Sequence, residues 1–416
     1  MTLSEELQWR GFVNQTTYKD IKELDGDPIS FYFGVDPSAD SMQIGNLAAA
    51  MMNRLFIKHG HKAFLLVGGA TGMIGDPDGK AQERDLNTLE QIVHNKNAIA
   101  KEYDRVFSGM DFTVVDNYDW FKDIDYLSFL RNVGKHVPLR QMLSREFVQS
   151  RLHEGGAGIS YAEFSYSLIQ GYDFVHLNKE HGVTLQLCGA DQWGNSIAGV
   201  DLIRRMNGNE AHIWSLPLII DKSTGKKFGK SEGGAIFLNE KKTSVYKFYQ
   251  FWVNTDDEGV DGYLKVYSTL DKDTIDDIME AHNEARSNRL AQKRLAYEVT
   301  AIVHGAERAE SIARLSEVLF GSGNYQDLKV ADFKELKTEL PSIEASVGDQ
   351  LIDLLADAKL ASSKGEARRF LSSNAIYING SQLPLEKATI DSDDFISGYC
   401  IVRRGKNANA LIELQV

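Results

Sequence analysis

Cysteine, basic excess and long apolar runs are what this sequence lacks. Two cysteines occur in 416 residues, Cys188 and Cys400. Far apart in the chain, they offer neither a disulfide framework nor a zinc spacing, and both are read as reduced, packed thiols. No run reaches the roughly 18 to 20 apolar residues of a membrane helix. Residues 1–10 carry Glu5, Glu6 and Arg10 where a signal peptide would be apolar. The expectation is a cytoplasmic protein with no membrane attachment. His59 and His61 flank a glycine without a carboxylate or cysteine at ligand spacing, which reads as an exposed turn, and no protein-ligated metal is expected. A net charge of −13 argues against broad, non-specific nucleic-acid binding. The deficit is uneven, because from residue 350 onward eight Lys/Arg balance eight Asp/Glu. The C-terminal segment is therefore electrostatically distinct and leaves room for a local basic surface.

A hydrophobic content of 43% supports a buried core, and the length allows two or three domains. Short apolar runs at 31–35, 63–67, 112–115, 183–187 and 213–220 alternate with helical patterns, the signature of a parallel α/β sheet. Within 44–59, Leu47, Met51, Met52, Leu55 and Phe56 recur at helical spacing, so a helix follows the first of these strands directly. Its N-terminus faces the crevice at the strand's carboxyl end, where ligands bind in open α/β sheets and where phosphate is favoured. From about 243 to 319 the pattern becomes helical, and 320–348 mixes glycine, charge and one proline without a sustained period. In the last 65 or so residues, Ser363-Lys364-Gly365-Glu366 has capping-box spacing before a helix, and 375–378 followed by Asn379-Gly380 spells strand and hairpin turn. No internal repeat or low-complexity tract stands out.

Two loops carry the chemistry. Lys227-Phe228-Gly229-Lys230-Ser231 joins two lysines and a hydroxyl to a glycine just after an apolar run, a composition suited to polyphosphate. It misses the P-loop pattern by one residue between Gly225 and Gly229, and Glu232-Gly233-Gly234 is a poor opening for the helix a P-loop needs. A basic surface turn is the alternative for these residues taken alone. The second loop follows the first strand. Gly34 and Gly45 remove side chains where an adenine or ribose could pack, and Ser38, Gln43 and Asn46 supply neutral donors at the helix mouth. An ordinary βα loop with Ser41 as helix cap is the plain alternative.

The segment from Phe31 to Leu47 resembles the His-Ile-Gly-His region of class I aminoacyl-tRNA synthetases, and Lys227 to Ser231 resembles their Lys-Met-Ser-Lys-Ser loop. Between them, Val67-Gly68-Gly69-Ala70-Thr71-Gly72-Met73-Ile74-Gly75-Asp76-Pro77, Glu163-Phe164-Ser165-Tyr166, Gln170-Gly171-Tyr172-Asp173-Phe174 and Gly189-Ala190-Asp191-Gln192-Trp193-Gly194-Asn195 are similar to bacterial-type tyrosyl-tRNA synthetases. The resemblance covers nearly the whole chain. It implies activation of L-tyrosine by ATP, accompanied by Mg²⁺, and transfer to tRNA(Tyr) by a homodimer. It assigns Lys227 and Lys230 to the pyrophosphate, with Ser231 supporting the loop and Ser38, Gln43 and Asn46 in the first signature. Gly34, Asp36, Gly45, Gly189 and Asp191 line the adenosine site, joined by Lys230, and Lys80 and Arg84 close over the phosphates. Tyr32 and Asp173 meet the tyrosine hydroxyl, Asp76, Tyr166 and Gln170 the ammonium group, and Gln192 the carboxylate. Gln43 and Asn46 depart from the signature histidines. Both amides still donate to phosphate oxygens, and neither titrates near neutral pH.

The implied architecture is a Rossmann-like parallel-sheet catalytic domain (1–220), the lysine loop with an α-helical anticodon-arm domain (221–320), a linker (321–348) and a small α+β S4-like RNA-binding domain (349–416). In that last domain Lys364, Arg368 and Arg369 are expected to meet tRNA phosphates. The other reading, prompted by Gln43 and Asn46, is a catalytically silent synthetase-like protein acting as an RNA-binding structural chaperone.

Overall fold

The alternating pattern of the first half becomes a sheet. The computed structural model describes residues 1–77, 86–153, 156, 158–231, 234–321, 323–405 and 408–415, with backbone alone at 141, 146, 147, 230 and 231. Lys80 and Arg84 lie outside the described residues. Packing separates the chain into two units, Met1–Ser244 with Trp252–Val303, and Val245–Phe251 with His304–Val416.

Among the described residues of the first unit, six strands form one sheet: β1 (Gln15–Thr16), β2 (Ser30–Val35), β3 (Lys62–Val67), β4 (Phe112–Asp116), β5 (Val183–Gly189) and β6 (His212–Leu216). The spatial order is β1-β6-β5-β2-β3-β4. All neighbours run parallel except the short edge strand β1, which pairs antiparallel with β6. Connections leave β2 toward β3 on one side, while β5 lies on the other, so the strand order reverses between β2 and β5. A crevice opens at such a switch point because the flanking helices diverge to opposite faces.

The strands fall where apolar runs mark them, with one overrun. The run 213–220 ends as a strand at Leu216, because Pro217 has no N–H to continue the ladder. The helix Ile44–Lys58 follows β2 and buries Leu47, Ala48, Met51, Met52, Leu55 and Phe56 along one stripe. The long helix Tyr161–His181 is capped by Ser160, whose hydroxyl accepts from the Glu163 amide, and ends at Gly182 in the left-handed region (φ 66°). Within the helical stretch 243–319, the helix Leu290–His304 begins directly after Arg289, which itself adopts a left-handed conformation (φ 53°).

In the second unit, helices lead into a five-stranded sheet among the described residues. Its strands are Ser342–Ala345, Ile376–Ile378, Ser381–Gln382, Tyr399–Arg404 and Ala408–Leu414. Asn379 and Gly380 both take positive φ (44° and 80°), the requirement of a tight hairpin turn. The stretch between 320 and 348 contains the helix Val330–Glu339 and the strand Ser342–Ala345, which pairs parallel with Ala408–Leu414. Leu351, Leu354, Leu355, Ile376, Ile390, Val402 and Ile412 form this unit's apolar core. The helix Lys364–Ser372 is capped by Ser363, which accepts from the Glu366 amide at 3.2 Å. The Glu366 carboxylate turns to Ser362 instead of completing a reciprocal box.

Candidate active site

A cleft of about 610 Å³ opens at the carboxyl ends of β2 and β5. Gly34, Asp36, Ser38, Gln43, Gly45 and Asn46 line it from β2 and the following helix mouth. Tyr166, Gln170 and Asp173 line it from the helix Tyr161–His181, as their spacing of four and three residues requires. Gly189, Asp191 and Gln192 come from the end of β5, Asp76 from the β3 loop, and Tyr32 and Lys227 complete the set. Lys230 and Ser231 form a short ribbon strand whose backbone alone is described. Lys364, Arg368 and Arg369 belong to the second unit. There Lys364 pairs with Asp353 at 2.8 Å and Arg369 with Glu366 at 3.1 Å. Arg368 is exposed, and among the described residues no carboxylate lies within ion-pair distance of it.

The deep end of the cleft is a buried polar pocket. Asp173 is 1% exposed and accepts from Trp120 Nε1 at 3.0 Å and Asn117 Nδ2 at 3.1 Å. Burial holds its carboxyl well above the ordinary carboxylate range; the two donors oppose that shift, and the nearby Asp36 and Asp116 charges add to it. Tyr32, 2% exposed, has its hydroxyl buried with no hydrogen-bond partner, and Gln170 Oε1 is in the same state. Such orphans are rare and costly, and two of them facing one cleft mark a place where a polar ligand completes the network.

Nearer the mouth, Tyr166 donates to Asp36 Oδ2 at 2.5 Å, while Thr71 donates to Asp36 Oδ1 at 2.6 Å. Burial and the carboxylates of Asp36 and Asp76 hold the Tyr166 hydroxyl far above its usual value, so it stays a proton donor. Gln192 Nε2 donates to Asp76 Oδ2 at 2.6 Å and accepts at Oε1 from Asn195 at 3.2 Å. A Cβ at Gly189 would sit 2.6 Å from Asp191 Oδ1, so a side chain there would displace the Asp191 carboxylate. Burial pushes the Cys188 thiol up to about 12, which leaves it a packed apolar group in the lining.

At the helix mouth the position before the helix is Gln43, not Ser41. Asn46 Oδ1 accepts from the Gln43 amide at 3.0 Å, which leaves the Asn46 Nδ2 donor for a ligand. Ser41 is drawn away to Glu102 at 2.7 Å. The lysine loop backs onto this mouth. Gly229 has φ +97°, and a Cβ there would sit 3.2 Å from Ile44 Cβ, while a Cβ on Gly45 would touch Lys227 Cε at 3.9 Å. Two glycines thus allow an exposed lysine to lie over the helix N-terminus.

Sequence reasoning missed Asn117, Trp120 and Thr71, the side chains that orient Asp173 and Asp36. The available signal was position: Asn117 follows the last residue of β4, at the same carboxyl edge as the other ligand-facing loops.

A doubly wound sheet whose switch-point cleft combines an amide-bearing helix N-terminus, a lysine loop and a separate buried polar pocket defines a class I aminoacyl-tRNA synthetase. The family model described as tRNA synthetases class I (W and Y) matches residues 24–321, and that of the tyrosine–tRNA ligase SYY-like C-terminal domain matches residues 332–412. Tyrosine–tRNA ligase 1 of Streptococcus thermophilus (strain CNRZ 1066) is 42% identical over 99% of this chain and 100% of the relative. Tyrosine–tRNA ligase of Klebsiella pneumoniae is 44% identical over 99% of this chain and 97% of the relative. A crystal structure of a C-terminally truncated mitochondrial tyrosyl-tRNA synthetase from Aspergillus nidulans superposes with a TM-score of 0.70 at 28% identity, covering 77% of this chain and 94% of that one. The chain belongs to the tyrosine–tRNA ligases.

Proposed function

We propose that the cleft activates L-tyrosine with ATP to tyrosyl-adenylate and pyrophosphate, and that tyrosine then passes to the 3′ end of tRNA(Tyr). The observation that carries this reading is the pair of Tyr32 and Asp173 at the closed end of the cleft, a buried unpartnered hydroxyl beside a buried carboxylate. A substrate phenol donates to Asp173 and accepts from Tyr32. Phenylalanine would leave the buried Tyr32 hydroxyl unpaired and give the Asp173 carboxylate no donor beyond Trp120 and Asn117, at a cost of about 1–3 kcal/mol per unmet group.

The remaining groups take roles set by their charge. Asp76, Tyr166 and Gln170 receive the substrate ammonium, and Gln192, already held by Asp76 and Asn195, steers the carboxylate. Asp36, Gly34, Gly45, Gly189 and Asp191 flank the adenosine. The carboxylate attacks the α-phosphate, so catalysis consists of aligning two anions and stabilising charge on the departing pyrophosphate. Lys227 and Lys230, supported by Ser231, by the Ser38 hydroxyl and by the side-chain amides of Gln43 and Asn46, supply that charge. Lys80 and Arg84 add to it from a segment outside the described residues. Among the described residues no three His, Cys, Asp or Glu side chains converge to hold a metal ion. Mg²⁺ would accompany ATP as part of the substrate, with ligands drawn mainly from phosphate oxygens and water.

Residues 1–220 form the catalytic domain, 221–320 the lysine loop and anticodon-arm helices, 321–348 a connection whose strand Ser342–Ala345 joins the last sheet, and 349–416 the tRNA-gripping module, with Lys364, Arg368 and Arg369 at its phosphate-facing helix. The enzyme works as a homodimer. Tyr126, Leu127, Leu139, Leu152 and Tyr161 are each at least half exposed, a concentration of large apolar groups that favours burial against a second copy. Among the described residues no helix is long and apolar enough to cross a membrane. The cytoplasm is the proposed compartment, where the free buried cysteines Cys188 and Cys400 stay reduced.

Charging of a tRNA(Tyr) transcript with labelled tyrosine tests the whole sequence of steps. Charging dependent on ATP and tyrosine is expected. Transcript binding without charging would favour the RNA-chaperone reading that Gln43 and Asn46 prompt.

A further inference from the structure

Glu102 lies on the helix Leu89–Val106 and is 5% exposed, but it is not part of the cleft lining. Among the described residues its oxygens meet no lysine or arginine at ion-pair distance. They accept instead from Ser41 Oγ and from the Met42 amide, both at 2.7 Å. Charge-assisted hydrogen bonds of this kind are about twice as strong as neutral ones. The clamped residues are the last two before the helix-mouth position Gln43.

From there the contacts run to the far side of the lysine loop. Ser41 Oγ accepts from the Asn239 amide at 3.1 Å, Met42 O from the Leu238 amide at 3.0 Å, and Ile236 O from the Ile44 amide at 3.2 Å. Gln43 and Phe237 form an antiparallel bridge. The Ile236 amide in turn donates to Gly229 O at 3.1 Å. A single buried carboxylate thus stands behind a stitch of backbone bonds between the helix mouth and the chain that returns from the lysine loop.

We propose that Glu102 is a positioning residue for the activation step: by clamping residues 41–42 it holds segment 236–239, and through it Gly229, against the N-terminus of the helix Ile44–Lys58. The proposal rests on the reading of the cleft as the ATP site. Glu102 touches no substrate and acts through backbone geometry, so its loss disturbs nucleotide placement and spares the tyrosine pocket, which is built from other elements.

The charged surroundings bear on how the clamp responds to acid. Burial raises the Glu102 carboxyl above its ordinary range, the Met42 amide, Ser41 hydroxyl and Arg105 on its own helix oppose this, and Asp40 adds to it. Asp40 is itself paired with Lys242 at 2.5 Å and lies 3.9 Å from His94. Protonation removes acceptor capacity from one oxygen, so the clamp loosens as pH falls through the raised value.

The test uses the full-length protein and two variants, Glu102→Gln and Ser41→Ala, with thermal unfolding as the folding control. Backbone amide exchange over 236–239 is expected to rise about tenfold in Glu102→Gln, the effect of losing one charge-assisted bond. In tyrosine-dependent ATP–pyrophosphate exchange the KM for ATP is expected to rise about tenfold, with the KM for tyrosine unchanged. The acid-side rise of the native KM for ATP should vanish in Glu102→Gln. Ser41→Ala should act in the same direction and serves if the first variant does not fold. Unchanged protection over 236–239 in either folded variant, or equal rises in both KM values, overturns the proposal. Lost protection in a protein that shows no exchange activity would uphold the clamp and remove the ATP reading instead.

Discussion

Replacing Asp173 by asparagine should damage tyrosine recognition while making the protein relatively more stable as pH rises. The carboxylate accepts from Trp120 on one oxygen and Asn117 on the other. Asn117 cannot turn to help, because its Oδ1 accepts from the Ala70 amide at 2.6 Å and its Nδ2 also reaches Thr71 at 3.1 Å. In the variant one oxygen becomes an NH₂ that faces a donor, and the charge that accepts from the substrate phenol is gone. The loss of a charge-assisted bond, about 1.5–3 kcal/mol, corresponds to a fall of one to two orders of magnitude in kcat/KM for tyrosine. The KM for ATP should hold, because the adenosine side is lined by other residues. Stability follows the opposite course. Burial raises the folded pKa of Asp173 above the unfolded value of about 3.9. The stability the native carboxyl contributes is therefore full below that unfolded value and is lost as pH rises through the folded one. The melting temperature of the variant minus that of the native protein should increase from about pH 5 to about pH 8. Exchange kinetics and thermal unfolding at both pH values measure the two arms. Unchanged tyrosine kinetics, or a melting difference independent of pH, would refute the reasoning.

Three further outcomes are expected. Lys227→Ala should lower the rate of adenylate formation by about 10²-fold or more in single-turnover measurements, with tyrosine binding unchanged, because its charge acts on the departing pyrophosphate. Tyr161→Asp, at a side chain 61% exposed and 3.3 Å from the Tyr126 hydroxyl, should shift sedimentation from dimer toward monomer while leaving the fold intact by circular dichroism. Arg368→Ala should raise the KM for tRNA and reduce the salt dependence of tRNA binding by about one ion, leaving pyrophosphate exchange untouched. Lys364→Ala should matter less, since Lys364 already pairs with Asp353.

The parallel sheet was legible because the strands β2, β3, β5 and β6 are largely buried, so each appears as a continuous apolar run bounded by polar turns. β2 to β5 are found within two residues of those runs, and β6 ends early only because of Pro217. The two-residue β1 has no run to betray it, and Ser342–Ala345 joins its sheet by pairing with a strand some seventy residues later. Within the site, Tyr166, Gln170 and Asp173 could be placed on one helix face by spacing alone. What orients them could not be read this way. Trp120 and Asn117 reach Asp173 from more than fifty residues away, and Glu102 reaches Ser41 across 61. Those pairings are consequences of tertiary packing, and local periodicity carries no trace of them. The alternative of Ser41 as helix cap fails for the same reason: Gln43 holds the cap position, and the Ser41 hydroxyl donates to Glu102 and accepts from the Asn239 amide.

Tyrosine-dependent ATP–pyrophosphate exchange, run beside phenylalanine and tryptophan on the purified protein, tests the central claim most directly. The Tyr32 and Asp173 pocket predicts exchange with tyrosine and little with the other two. Equal exchange with phenylalanine, or none with any of the three, would contradict it.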